Sequence, residues 1–205
     1  LESLQTSIDF LRHQQSTFFD GILPLPNMKK LKIFGVFHYK LDNAKIFLDI
    51  FPSLEVVNMK NCSPNLGFNS FLVYVSLKYP KLQELHCFHL HTHVHGQVVG
   101  SLSFEDLKSF HVAQILNQNF YSTFIRRHCD TLEKLSIDRI NHANFTPGFF
   151  ANSIACCSNL KQVEFTSDSP DITKMFRKVP NYPRNSEQFF EAWRDGMKPK
   201  TKYKL

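Results

Sequence analysis

Histidine and cysteine are the side chains here best suited to holding a metal or attacking a substrate, so their spacing is the first question. Five of the ten histidines fall within ten residues: His86, His89, His91, His93 and His95. If the run stays extended from His89, alternate residues share one face, and imidazoles placed that way can bind zinc, copper or nickel. A structural site needs ligands converging from tetrahedral directions, commonly from two elements, whereas one strand supplies only a line. The run therefore reads as an exposed loop after a strand, and no metal ligand is assigned.

The five cysteines are Cys62, Cys87, Cys129, Cys156 and Cys157. Their odd number and the lack of paired C-x-x-C spacings argue against a disulfide framework or zinc knuckle and favour the cytosol or nucleus. Cys129 follows His128, the residue types of a thiol nucleophile and its base, but adjacent residues on a helix point apart, so a packing cysteine is expected. Cys156 and Cys157 are likewise expected to pack a helix against the next strand. No Gly-rich phosphate loop, G-x-S-x-G, H-E-x-x-H or D-x-D cluster occurs, so the expectation is a non-enzymatic protein without a cofactor.

The elements that would position these side chains come from an internal repeat. The phrase L-x-x-L-x-L recurs as Met28, Leu31, Ile33; Leu54, Val57, Met59; Leu82, Leu85, Cys87; Leu107, Phe110, Val112; Leu132, Leu135, Ile137; and Leu160, Val163, Phe165. The first positions are 25 to 28 residues apart, and Leu1 and Leu4 could be the remains of a seventh copy. Three residues after each third position comes a further slot expected to be buried: Val36, Cys62, Leu90, Ile115, Ile140 and Asp168, the polar Asp168 marking the last repeat. Period and phrase predict an α/β leucine-rich repeat solenoid, with a curved parallel sheet on its concave side and helices on its convex side. Helical spacing predicts helices over 41–50, 68–79, 117–128 and 147–157, while 91–103 reads as a loop. The 21 phenylalanines are then wedges between strand and helix layers.

The repeat ends near Thr166. Residues 1–25 read as an N-terminal cap or degenerate repeat, 26–168 as about six repeats, and 169–205 as a capping helix over 185–194 followed by a basic tail. From residue 171 onward there are nine Lys/Arg against four acids, so most of the net charge of +6 belongs to the tail. Apolar runs of about five residues are far short of the roughly 20 needed to span a bilayer, and a soluble protein is expected. With Leu1 rather than Met at the start, the chain reads as part of a longer protein.

Strand alternation turns the residues between the apolar positions outward. These are Lys30, Lys32 and Phe34; Val56, Asn58 and Lys60; Glu84, His86 and Phe88; Ser109 and His111; Lys134, Ser136 and Asp138; and Gln162, Glu164 and Thr166. Lysines, two aromatics and two central histidines suit a protein partner offering an acidic and an apolar element, so this concave face is the expected partner-binding surface.

Residues His128 to Ile137 (HCDTLEKLSI) and Cys157 to Lys161 (CSNLK), with entries of the type Pro-x-Leu, resemble the cysteine-containing leucine-rich repeats of F-box proteins. The resemblance covers residues 26–168. It implies the substrate-recognition part of a ubiquitin-ligase receptor, cytoplasmic or nuclear, attached to a cullin-based ligase through an F-box module that would lie before Leu1. The alternative from a different class is a structural or assembly scaffold in a larger ribonucleoprotein or organelle complex, its basic tail lying along RNA or an acidic subunit. Nucleic acid enters only as a partner of that tail, and no membrane partner is expected.

Overall fold

The protein is described by a computed structural model over residues 2–7, 21–36, 41–63, 66–89, 102–114, 118–140, 153–154, 156–167 and 175–178. Among these residues eight strands form one open sheet in chain order: β1 (Ser3–Ser7), β2 (Lys30–Val36), β3 (Val56–Ser63), β4 (Glu84–His89), β5 (Ser109–Gln114), β6 (Lys134–Ile140), β7 (Gln162–Ser167) and β8 (Met175–Lys178). The first seven run parallel, and β8 pairs antiparallel with β7. Parallel neighbours need crossover connections. Helices α1 (Leu41–Asp49), α2 (Leu66–Lys78) and α3 (Gln118–Arg127) supply those that follow β2, β3 and β5. No helix among the described residues is long and apolar enough to cross a membrane.

The repeat is visible in the backbone itself. At each strand entry two successive N–H groups donate to a single carbonyl of the coil before. Glu2 O receives Lys29 and Lys30, Lys29 O receives Glu55 and Val56, and Glu55 O receives Gln83 and Glu84. Gln83 O receives Lys108 and Ser109, Lys108 O receives Glu133 and Lys134, and Glu133 O receives Lys161 and Gln162.

Every described position of the L-x-x-L-x-L phrase is buried, from Met28, Leu31 and Ile33 through Leu85 and Leu135 to Leu160 and Val163, and they form one core with the helices. Phe47 and Phe51 meet edge to face at 5.2 Å, and Phe110 lies 4.6 Å from Phe124, the strand-to-helix wedge expected of the large rings. Leu4 pairs in register with Leu31 and packs on the core, so β1 carries an additional coil at the N-terminal end.

Buried polar groups are tied between coils. His128 at the end of α3 donates from Nδ1 to Phe124 O (2.7 Å) and accepts at Nε2 from Phe104 N (3.0 Å). An amide can only donate, so the ring is the neutral Nδ1–H tautomer. Asp49 accepts from Tyr74 Oη (3.0 Å) and from Lys78, which joins α1 to α2. Of the six slots that follow the strands, only Cys62 has a described side chain; it is buried and donates to Ile33 O at 3.3 Å.

At the C-terminal end of the sheet the structure differs from the sequence reading in two ways. β8 covers the edge of β7 in a segment expected to hold no strand, which satisfies backbone groups that an open edge would leave unpaired. Cys156 is exposed rather than packed, while Cys157 beside it is buried. The histidine run from His91, most of the helix expected over 147–157, and the capping helix and tail beyond Lys178 lie outside the described residues.

Candidate functional site

Pairing register sets the outward residues in rows across the sheet. One row runs Lys30, Val56, Glu84, Ser109, Lys134 and Gln162; the next runs Lys32, Asn58, His86, His111, Ser136 and Glu164. The alternation places these residues opposite the buried Leu31, Val57, Leu85, Phe110, Leu135 and Val163, as the repeat requires. Lys30 is exposed and Lys32, Phe34, Asn58 and Lys60 are half-buried. Phe88 belongs to β4, but its side chain is outside the described residues.

Beyond the second row, two strands bulge. Lys32 pairs with Asn58 but Phe34 with Asn61, so β3 holds one extra residue opposite Ile33; likewise β6 holds Asp138 and Arg139 where β7 holds Thr166 alone. A bulge re-aims side chains, and it is the two bulge residues that meet: Lys60 Nζ lies 2.8 Å from Asp138 Oδ2 although β4 and β5 stand between their strands. Asn58 Oδ1 steadies the first bulge by accepting from Lys60 N at 3.1 Å.

Between these partners lie the two histidines. His86 and His111 are register neighbours whose rings stack, 5.5 Å between centroids and 18° between planes. His111 Nε2 is 3.1 Å from Asp138 Oδ2, and His86 Nε2 is 3.5 Å from Glu84 Oε2. The His111 contact lacks hydrogen-bond geometry, so Nε2 is buried without a hydrogen-bond partner among the described residues. Burial, aided by the Lys60 charge and opposed by Asp138, lowers the His111 pKa to about 4. Burial also lowers that of His86, against the pull of Glu84 and with help from Lys134 and Lys60. Both rings are therefore neutral at pH 7, and Asp138 and Glu84 set two negative charges against Lys60 and Lys134.

His111 at 8% exposure and Ser136 at 3% are more buried than an outward row predicts. Register puts Ser136 beside His111, which contacts Asp138, so the residue types of an acyl-transfer triad fall side by side. The hydroxyl has almost no exposure through which to meet a substrate. Among the described residues no three His, Cys, Asp or Glu side chains are arranged to hold a metal ion. What the face does offer is a charge-compensated polar centre flanked by Lys30 and Lys32, for which no ion pair occurs among the described residues.

Comparison with known protein families, curated proteins and solved structures finds no match to this chain.

Proposed function

We propose that this chain is a non-enzymatic leucine-rich repeat solenoid that binds a protein partner on the outward, concave face of its sheet. The observation that carries the reading is the Lys60–Asp138 ion pair from β3 to β6. In a flat sheet strands three steps apart lie about 14 Å from each other, beyond the reach of these two side chains, so the pair supports a sheet curled toward this face. The recurring strand-entry hydrogen bonds support one unit repeated along the chain. Curved repeat surfaces of this kind present a continuous row of side chains to an extended partner.

Lys30, Lys32 and the Phe34 ring form the end of the face that an acidic and apolar segment fits best, while Asn58, Lys60, Glu84, His86, Lys134 and Asp138 continue the surface above the buried His111 and Ser136. The most specific version, from the resemblance of the repeats, is the substrate-recognition part of an F-box-like ubiquitin-ligase receptor working in the cytoplasm or nucleus. The other reading is an assembly scaffold in which the basic tail contacts RNA or an acidic subunit.

The test is affinity capture from cell extract with wild-type protein and with Lys32→Glu combined with Phe88→Ala, each checked by thermal melting. Under the proposal the variant melts as wild type but loses most of the specifically retained proteins. Equal recovery of the same proteins by a normally folded variant overturns the assignment of this face.

A further inference from the structure

The turns leading into β6 and β7 hold three of the five cysteines. Glu133 O accepts from Lys161 N (2.7 Å) and Gln162 N (3.1 Å), so residue 133 lies beside 161 and Cys129 stands level with Cys157 one coil away. Asn159 Nδ2 donates to Asp130 O, joining the two turns directly. Cys156 and Cys157 both send Sγ to Ser153 O, at 3.2 and 3.5 Å. Cys157 is buried, Cys156 is exposed, and Cys129 lies between these extremes, its Sγ 3.7 Å from Asp130 Oδ1 in the turn joined to that of Cys156 and Cys157. One exposed thiol therefore neighbours two others.

We propose that Cys129 and Cys156 form a thiol–disulfide modification site that reacts with a low-molecular-weight disulfide such as oxidised glutathione and ends as a cross-link between consecutive coils. Neighbouring strands step about 4.8 Å apart and consecutive Cα atoms about 3.8 Å, so Cys156, one residue from the position level with Cys129, falls roughly 6 Å from it, within the roughly 4.4–6.8 Å that a disulfide needs. A bridge between Cys156 and Cys157 would close a small ring through one peptide bond, which resists the required distortion.

Reactivity falls in the order of exposure. Burial, with Cys156 and Asp130 adding to it, raises the Cys129 thiol to about 11, and burial pushes Cys157 up as well. Cys156 therefore reacts first. Its thiolate attacks one sulfur of glutathione disulfide, forming a mixed disulfide and releasing a glutathione thiolate. Cys129 then gives up its proton, attacks the Cys156 sulfur and expels the second glutathione thiolate. Two protein thiols are oxidised, one glutathione disulfide is reduced, and the two protons end on the two glutathione thiols.

This site is independent of the partner assigned to the sheet face. The full chain, equilibrated in a glutathione redox buffer, is alkylated at its remaining thiols and mapped by peptide mass spectrometry. The expected product has lost two hydrogens, carries a bridge between the Cys129 and Cys156 peptides, and returns to the free thiols with dithiothreitol. Cys157→Ser keeps the bridge and Cys156→Ser abolishes it. Glutathione retained on Cys156 without a bridge, a bridge from Cys156 to Cys157, or five free thiols throughout would overturn the proposal; the wild-type map decides this even where a variant fails to fold.

Discussion

His111 and His128 are buried in different surroundings, one on the outward side of the sheet and one between coils, yet they respond to acid in the same direction. Burial is the first cause in both; Lys60 adds to it at His111 and Arg127 adds to it at His128, where the bond to Phe124 O pulls the other way. Together with His86 they hold folded-state pKa values below the 6.5 of an unfolded histidine. Below pH 6.5 the unfolded chain takes up protons the folded chain refuses, so stability is full above that pH and is lost as pH falls, for His111 down to about 4. Each such histidine contributes a slope of up to about 1.4 kcal/mol per pH unit. Urea unfolding at pH 7.5, 6 and 5 should show this loss, and His111→Gln should make it shallower; a stability independent of pH over that range would contradict it. That His86 and His111 face outward is legible from strand alternation. Their stacking and the approach of Asp138 are not, because those contacts join residues of different repeats. The exposure of Cys156 escaped for a related reason: its neighbour Cys157 takes the inward position at the turn.

The elements most legible in the sequence are those the repeat dictates. Expected helices over 41–50, 68–79 and 117–128 correspond to Leu41–Asp49, Leu66–Lys78 and Gln118–Arg127, with ends shifted by two residues at most. The inward triplets declare themselves because three apolar residues per coil must reach one core. The bulges at Lys60 and Asp138 do not, since a bulge shows only against a partner strand. Nor does β8, Met-Phe-Arg-Lys, which is short and mixed and becomes a strand by docking on the exposed edge of β7. This gives truncation a sharp expectation. A chain ending after Lys178 keeps β8, whereas one ending after Pro170 uncovers β7 and should melt several degrees below the first and associate through that edge. Equal melting of both truncations would mean that β8 contributes nothing to the end of the sheet.

Among the described residues, the sheet face, helix α2 and the exposed Ile22, Leu23 and Leu25 before β2 are the surfaces that could dock a partner, and the first two lie on the repeat itself. On the sheet side, the central charges compensate one another, leaving Lys30 and Lys32 as the charges best placed to steer an acidic partner. On the helix side, α2 is apolar on most faces, and Leu77 at 76% exposure is a large side chain in water. The sheet side is favoured because it presents one continuous set of outward residues from β2 to β7, while Leu77 stands among half-buried neighbours of a single helix. The deciding measurement is a calorimetric titration of the purified captured partner against wild type, Lys30→Glu with Lys32→Glu, and Leu77→Glu. The account predicts at least a tenfold loss of affinity, about 1.4 kcal/mol, for the lysine pair and none for Leu77→Glu. Unchanged affinity for the lysine variant with a tenfold loss for Leu77→Glu would contradict it and move the functional surface to the helices.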